Sequence, residues 1–244
     1  MFSLLNQFKK ILKSRSSYHL SFIEYENKST IKIDFETSQN SNGYYLFLDT
    51  ETTGLPLNPY ETAEKISNWP NIVSISWLVF DIEEKIIEEK YYIIKQKEKI
   101  PEDSIQIHGI TDEISQVKGE DIDVVLSNLS NAAKNSKIII AHNIDFDLPV
   151  IESEFLRNNF SKQFEGHEKI CTMKGSKDFV GIYAYNREND YSYTKFPKLK
   201  ELFRKCFPDA LTKIIDENFH NSNTDVKVTA ICFLKLKEQG VIKI

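Results

Sequence analysis

The sequence predicts an α/β protein built on a mixed sheet, and three observations support this prediction. Apolar segments come in succession at residues 44–49, 72–80 and 86–95, and a short polar turn separates the last two, as in an antiparallel meander. Residues 137–141 then form a short, continuously apolar run, which is typical of a strand buried on both faces. Helical patterns flank this run. The predicted architecture is therefore a sheet of antiparallel and parallel strands with helices packed against it.

Helices are predicted where apolar residues recur at helical spacing. They cover residues 121–135, 148–158, 197–206 and 225–238. Residues 181–196 alternate aromatic and polar side chains, as a hairpin does. We expect this hairpin to pack one face on the core; the alternative is that its tyrosines stack the bases of a single strand.

Residues 1–43 are predicted to be an extension of a main domain that covers residues 44–244. Residues 1–17 place apolar side chains near helical spacing with basic residues elsewhere on the turn, which predicts a short amphipathic helix. This helix would pack on the main domain, or it would dock on a membrane surface or a partner. The polar, turn-rich residues 36–43 are typical of a linker.

Length and composition favour a globular protein with one large domain. The chain has 244 residues, of which 41% are hydrophobic and 27% are charged. Its three cysteines are far apart, which favours reduced thiols over a disulfide framework or a zinc site. No apolar run reaches the roughly 18 to 20 residues that span a bilayer, so we expect a cytoplasmic protein.

The charge balance limits the kind of nucleic-acid partner. A net charge of −5 argues against a surface that coats long duplexes, because that mode of binding needs a broadly basic surface. It allows nucleic acid at a small site, where bound divalent ions would reverse the local sign of the charge.

Two acidic residues at the end of the first predicted strand are the strongest functional signal. Asp49 and Glu51 stand two positions apart, so their side chains point the same way in an extended segment. The Thr and Gly residues that follow let the backbone turn away and expose both carboxylates. By itself an Asp-x-Glu pair is weak evidence for a metal site, since such pairs occur at many solvated strand ends.

Further candidate site residues stand at two other element ends. Asp147 follows the buried strand, and ligands bind at the carboxyl ends of strands in α/β sheets. His220 and Asp225 stand at the start of the last predicted helix. Mg²⁺ and Mn²⁺ prefer carboxylate oxygens, and two such ions about 4 Å apart serve phosphodiester hydrolysis. A neutral histidine nearby can take the proton from the attacking water.

Three motifs together resemble those of DEDDh 3′-to-5′ exonucleases of the DnaQ-like superfamily. The stretches Asp-Thr-Glu-Thr-Thr-Gly (49–54), Ala-His-Asn-x-x-Phe-Asp (141–147) and His-x4-Asp (220–225) occur in the family's order. The likeness covers residues 44–240 and implies a ribonuclease H-like fold with a mixed five-stranded sheet. It implies release of nucleoside monophosphates from the 3′ end of single-stranded nucleic acid, with DNA favoured. The alternatives are an RNA-trimming enzyme of the same family or a non-catalytic scaffold.

The resemblance also implies roles for individual residues. Two divalent cations, Mg²⁺ or Mn²⁺, would be held by Asp49, Glu51, Asp147 and Asp225, and His220 would be the general base. The terminal nucleotide would contact the backbone at Thr52, the side chain of Leu55 beneath the last base, and His108. Homodimers are common in the family, and we expect a polymerase or a repair factor as the partner on which residues 1–43 would dock.

Some residues near the motifs allow two interpretations. The family's second acid directly follows Phe, which favours Asp147 over Asp145, and Asp145 is more typical of a helix cap or a solvated residue. His142 closes a buried strand, where a histidine is more often structural than catalytic. A basic cluster either holds the substrate backbone or forms a solvated helix face: Lys195, Lys198, Lys200, Arg204 and Lys205.

Overall fold

The N-terminal segment folds as a small antiparallel sheet. The computed structural model describes residues 8–14, 17–25, 28–188, 190–208 and 220–244. Strands β1 (Phe8–Ser14), β2 (Tyr18–Tyr25) and β3 (Lys28–Phe35) pair in this order, each antiparallel to the next. The prediction of an amphipathic helix over residues 1–17 is therefore wrong for residues 8–14, and residues 1–7 lie outside the described residues.

Strand pairing explains why residues 8–14 do not form the helix that their apolar spacing predicts. A helix of this length is marginal in water by itself, whereas pairing of β1 with β2 satisfies the backbone groups in a hydrogen-bonded ladder. Polar and apolar side chains largely alternate along residues 18–25 and 28–35, which is the pattern of a hairpin. This hairpin supplies the edge to which β1 is added.

The N-terminal sheet shares a core with the main domain. Tyr18, Leu20 and Ile33 are buried in the same apolar cluster as residues of the central sheet. The Tyr18 ring meets the Phe207 ring edge-on, with 6.4 Å between their centroids. The chain on both sides of residue 43 contributes to one core. The predicted division of the chain at this position stays a prediction.

A five-stranded mixed sheet forms the centre of the main domain. Its strands are β4 (Tyr45–Thr52), β5 (Ile72–Phe80), β6 (Ile86–Ile93), β7 (Ile138–Ala141) and β8 (Glu168–Cys171). The spatial order is β6-β5-β4-β7-β8; β4, β5 and β6 pair antiparallel, and β7 and β8 run parallel to β4. This confirms the predicted meander followed by parallel strands. The strand β8 was not predicted, because its four residues contain no apolar run.

A two-stranded hairpin occupies residues 183–194, as predicted. Its strands β9 (Tyr183–Asn186) and β10 (Tyr191–Thr194) pair antiparallel. Directly opposed residues share a face, so Tyr183 and Tyr185 lie on one face and Tyr191 and Tyr193 on the other. All four tyrosines are exposed. The expectation that one face packs on the core is therefore wrong.

The helices of the described residues correspond in part to the predictions. They are α1 (Glu102–His108), α2 (Asp112–Lys118), α3 (Ile122–Lys134), α4 (Ile144–Arg157), α5 (Thr172–Gly175), α6 (Lys177–Val180), α7 (Leu199–Cys206) and α8 (Ser222–Glu238). The four predicted helices are α3, α4, α7 and α8, and α4 and α8 begin earlier than predicted. Within this part of the chain, no helix is both long and apolar enough to cross a bilayer.

The sheet separates two apolar cores. Phe47 packs with α7 and α8 on one face, whereas Leu48 packs with α3 and α4 on the other. Since side chains alternate along a strand, Asp49 and Glu51 continue the face of β4 that carries α8. The fold therefore directs both acids toward α8.

Candidate active site

Three carboxylates meet where the end of β4 faces the first turn of α8. One carboxylate oxygen from each of Asp49, Glu51 and Asp225 lies within 4.8 Å of the other two. Asp49 and Glu51 project from the same face of β4, and Asp225 lies in the first turn of α8. Three of the four predicted metal ligands thus come together although they belong to distant parts of the sequence.

Asp147 joins these three acids from α4. It is buried in the first turn of α4, just after β7. Its Oδ1 accepts hydrogen bonds from the Thr50 backbone N–H at 3.1 Å and from the Thr50 hydroxyl at 2.8 Å. Asp147 is not among the acids whose oxygens lie within 4.8 Å of one another, but its charge raises the pKa of all three. We call the four acids the acid cluster.

Burial raises the pKa of every carboxyl group in the acid cluster, and the charges of neighbouring acids raise the pKa values of Asp49, Glu51 and Asp225 further. The pKa of Glu51 rises to about 8, mainly through burial and then through the charges of Asp225 and Asp147. Burial raises the pKa values of Asp147 and Asp225 to about 7, and burial with the neighbouring charges raises that of Asp49 well above its usual range. Without a cation, the cluster therefore retains protons at neutral pH.

The acid cluster fits a divalent cation that prefers hard ligands. Oδ1 of Asp225 is buried and makes no hydrogen bond within the described part of the chain. Carboxylate oxygens suit Mg²⁺ and Mn²⁺, whereas zinc sites are mostly built from histidine and cysteine. A cation here would offset the repulsion that raises these pKa values.

A buried serine fixes the start of α8. The Ser222 Oγ lies 3.1 Å from the Ser74 Oγ and 3.0 Å from the Ser76 Oγ, both on β5. The backbone N–H of His220 donates to Oδ2 of Asp225 at 3.1 Å, which closes the same turn. These contacts hold Asp225 over the end of the sheet. Sequence reasoning missed Ser222, because only the packing of α8 on the sheet shows which serines it meets.

His220, the predicted general base, lies beside Asp225 at the edge of the acid cluster. Its side chain is exposed, and its φ of 69° lies in the left-handed region. Partial burial lowers its pKa below the usual 6.5, and the positive charges of Lys200 and Lys198 lower it further. The imidazole is therefore mostly neutral at pH 7.

The three residues predicted to contact the terminal nucleotide lie close to the end of β4. The Thr52 hydroxyl donates to the Gly54 carbonyl at 2.7 Å, and the φ of Gly54 is 154°, which other residues rarely adopt. The turn leaves Leu55 83% exposed. His108 lies near the Thr52 carbonyl, and its Nδ1 accepts from the Ile110 N–H at 3.0 Å. In the neutral ring Nε2 therefore carries the proton.

His142 and Asp145, for which the sequence allowed a role in the site, have structural partners instead. His142 Nδ1 lies 3.0 Å from the Thr172 hydroxyl, and its Nε2 lies 3.1 Å from the Pro197 carbonyl. Burial lowers the pKa of His142 to about 4, so the ring is neutral. Asp145 pairs with Lys174 at the surface. Neither His142 nor Asp145 belongs to the acid cluster.

Tyr91 is a neighbour of the acid cluster that sequence reasoning missed. Ser76 pairs with Asp49 on one side and with Tyr91 on the other, so the three side chains form a row across the α8 face of the sheet. Burial and the charge of Glu51 raise the pKa of Tyr91. No local pattern marks this residue, because the signal lies in the register of three strands.

A family model of exonucleases and a PolC-type DNA polymerase III both match this chain. The family model RNase_T, described as an exonuclease, matches residues 46–233. The DNA polymerase III PolC-type protein of Mycoplasmopsis pulmonis (strain UAB CTIP) is 30% identical over 145 residues, which make up 59% of this chain and 9% of that protein. The chain therefore corresponds to only a small part of that polymerase.

Solved structures of exonuclease I have a similar fold. The zinc-bound complex of E. coli exonuclease I with single-stranded DNA matches with a TM-score of 0.60 and 18% identity, over 82% of this chain and 41% of that one. The complex of the same enzyme with a dA16 oligonucleotide gives a TM-score of 0.58 and 19% identity, over 80% and 40% of the two chains. The chain thus spans less than half of exonuclease I, and the likeness confirms the ribonuclease H-like fold.

The family model covers most of the chain and all of its site motifs. All three motifs that carried the resemblance, at residues 49–54, 141–147 and 220–225, fall within the matched residues. The matched region, residues 46–233, is well over half of the chain, so the chain belongs to the RNase_T family of exonucleases, as its resemblance to DnaQ-like exonucleases predicted.

Proposed function

We propose that this chain is a metal-dependent 3′-to-5′ exonuclease of the DEDDh type. It hydrolyses the phosphodiester bond at the 3′ end of single-stranded nucleic acid, with DNA favoured, and releases nucleoside monophosphates. The observation that carries this proposal is the acid cluster, in which oxygens of Asp49, Glu51 and Asp225 lie within 4.8 Å of one another beside buried Asp147. The DNA-bound complexes of exonuclease I, which share the fold, support single-stranded DNA as the substrate.

The acid cluster would hold two divalent cations, Mg²⁺ or Mn²⁺. When bound, such ions supply positive charge that activates the attacking water and offsets the charge that develops on the phosphate and on the leaving oxygen. Asp147 is the most firmly oriented ligand, since two hydrogen bonds from Thr50 fix its Oδ1 and leave Oδ2 for a cation. Ser222 fixes the turn that carries Asp225 through its contacts with β5, and the backbone N–H of His220 donates to Oδ2 of Asp225.

His220 would act as the general base. Its pKa lies below 6.5, so the ring can accept a proton from water at neutral pH. The exposed side chain can pass that proton to solvent. Lys198 and Lys200, whose charges lower this pKa, would also attract the phosphates of the substrate.

The terminal nucleotide would lie against Thr52, Leu55 and His108. Leu55 is an exposed apolar side chain directly after the turn at Gly54, so a base can cover it without displacing other side chains. The backbone at Thr52 would meet the sugar. His108 would support this contact through its ring, which lies near the Thr52 carbonyl.

A comparison of matched substrates tests the proposal. We expect single-stranded DNA labelled at its 5′ end to shorten one nucleotide at a time with Mg²⁺ or Mn²⁺, and duplex DNA to react more slowly. EDTA should abolish the reaction. Preference for single-stranded RNA of the same sequence would assign the chain to RNA trimming, and internal cuts or release from the 5′ end would contradict the proposal.

A polymerase or repair factor is the proposed macromolecular partner. The PolC-type relative supports a polymerase context for the exonuclease domain. Residues 1–43 are the proposed docking extension, and the described part of this extension packs on the main domain through Tyr18 and Leu20. The cytoplasmic location and the homodimer stay predictions.

A further inference from the structure

The hairpin β9–β10 displays aromatic side chains that the acid cluster and its neighbours do not use. Tyr183 and Tyr185 share one face, with Thr194 and Ser192 opposite them in the pairing. The exposed fractions of these two tyrosines are 79% and 57%. A two-stranded hairpin gains little stability from large apolar side chains that are open to water. Such side chains therefore point to a ligand.

The tyrosine face continues beyond the end of β10. The backbone N–H of Lys195 donates to the Ile182 carbonyl at 2.9 Å, so the extended pairing persists past Thr194. Alternation then places Phe196 on the same face as Tyr183, as its diagonal neighbour at about 7 to 8 Å. Phe196 is 48% exposed, and the Lys177 ammonium lies 4.9 Å from its ring centroid. We call Tyr185, Tyr183 and Phe196 the aromatic row.

One end of the aromatic row is joined through Pro197 and Lys198 to residues at the edge of the acid cluster. Phe196 precedes Pro197, whose carbonyl accepts a hydrogen bond from His142 at the end of β7. The next residue, Lys198, is close enough to His220 for its charge to lower the pKa of that histidine. Phe196 and Lys198 are at most about 7 Å apart along the backbone, so the row begins near Lys198 and the neighbourhood of His220.

The local charge complements a polyanion. Residues 174–200 carry six basic and three acidic side chains, whereas the whole chain has 31 basic and 36 acidic residues. Among the ion pairs of these residues are those of Lys174 with Asp145 and of Lys195 with Glu201, so part of the positive charge is offset. Aromatic rings at regular spacing beside excess positive charge are the features with which proteins bind single-stranded nucleic acid without sequence preference.

We propose that the aromatic row stacks the bases upstream of the 3′-terminal nucleotide, an inference that rests on the proposed exonuclease function. The row is about 14 Å long, from two steps of about 7 Å between neighbouring rings. At the duplex spacing of about 3.4 Å per nucleotide this length covers roughly four nucleotides, and fewer in an extended strand. Substrates longer than about five nucleotides therefore gain affinity from the row, and very short ones do not.

Binding and hydrolysis with oligonucleotides of two lengths test this inference. Fluorescence anisotropy in EDTA gives the Kd of labelled dT12 and dT3, and the rate in Mg²⁺ is measured separately. We expect Tyr183→Ala, Tyr185→Ala and Phe196→Ala each to raise the Kd for dT12 about fivefold or more, and to change that for dT3 less than about twofold. Tyr183→Phe keeps the ring and should bind dT12 nearly as the wild type does.

The opposite face of the hairpin supplies the matched control. Tyr191 and Tyr193 are exposed there, and we expect Tyr191→Ala and Tyr193→Ala to leave the Kd for dT12 unchanged. Circular dichroism checks that each variant is folded. The inference would be overturned if the row variants bound dT12 as tightly as the wild type. It would also be overturned if variants of both faces lost affinity for dT12 equally, or if the wild type did not bind dT12. Length-dependent binding without hydrolysis in Mg²⁺ would support the row and contradict the exonuclease function.

Discussion

Thr50 holds Asp147 with two hydrogen bonds, one from its backbone N–H at 3.1 Å and one from its hydroxyl at 2.8 Å. The two residues are 97 positions apart, and Thr50 stands between Asp49 and Glu51 on β4. Its side chain points away from theirs, toward α4. The end of β4 therefore presents Asp49 and Glu51 on one face of the sheet, and Thr50 on the opposite face orients Asp147.

Loss of the Thr50 hydroxyl should loosen Asp147. Thr50→Val keeps the shape of the side chain and the backbone hydrogen bond, but removes the shorter of the two bonds to Oδ1. We expect kcat to fall about tenfold, as for other residues that orient a metal ligand, and the free energy of unfolding to fall by about 1 kcal/mol. Steady-state kinetics and urea denaturation measure the two effects.

Ser127→Ala is the control for Thr50→Val. Ser127 lies on the exposed surface of α3 and donates only to the Asp123 carbonyl of its own helix, so its removal should leave kcat unchanged. Equal kcat values for Thr50→Val and the wild type would show that Asp147 needs no support from β4.

Removal of the Ser222 hydroxyl should free the start of α8. Ser222→Ala leaves the buried hydroxyls of Ser74 and Ser76 without this partner. We expect a loss of about 1 to 3 kcal/mol in the free energy of unfolding and a lower kcat, because Asp225 is carried by the same turn. A variant that loses stability but keeps full kcat would limit Ser222 to a structural role.

The metal-free protein should lose stability as the pH rises. The folded-state pKa of Glu51 is about 8 against a usual value of 4.5, and those of Asp147 and Asp225 are about 7 against 3.8. Between these values the folded state binds more protons than the unfolded state, so the free energy of unfolding falls with pH. We expect the Tm measured in EDTA to decline from about pH 5 to about pH 8.

Glu51→Gln isolates the cause of this decline. The amide cannot ionise, so we expect a shallower decline and, at pH 8, a gain of about 1 to 3 kcal/mol in the free energy of unfolding of the metal-free protein. Mg²⁺ should raise the Tm of the wild type at pH 8 more than that of the variant. A Tm in EDTA that rises up to pH 8 would contradict the raised pKa values.

The rate should depend on pH through His220. The pKa of this histidine lies below 6.5, so kcat should rise with pH and level off near neutrality if proton transfer limits the rate. Lys200→Gln removes a positive charge that lowers this pKa, so its profile should move to higher pH. The measurement is kcat between pH 5 and 9 at saturating Mg²⁺, and identical profiles for both proteins would contradict the assignment.

The sequence predicts elements with strong local patterns and misses those that depend on pairing. The continuous apolar run of β7 and the meander β4 to β6 are recognised from the residues alone. Residues 8–14 have helical spacing, yet they pair with β2, because the neighbouring hairpin offers a ladder that no local pattern reveals. The short strand β8 begins with two charged residues that are exposed, so its sequence contains no apolar run that would predict a strand.

Prediction of the candidate site divides in the same way. Asp49, Glu51, Asp147, His220 and Asp225 stand in short motifs, so their types and spacing suffice to identify them. Thr50, Ser222 and Tyr91 act through contacts between distant segments. Their signals are a hydrogen bond across 97 positions, a link between α8 and β5, and a row across three strands.

The most direct test compares two aspartates two positions apart on α4. Asp147 belongs to the acid cluster, whereas Asp145 pairs with Lys174 at the surface. Asp147→Asn can still accept the Thr50 hydrogen bonds, so the variant should fold but lose more than about a hundredfold in the rate of mononucleotide release from dT12. Asp145→Asn should stay within about twofold of the wild type. Full activity of Asp147→Asn, or inactivity of Asp145→Asn alone, would contradict the proposed site.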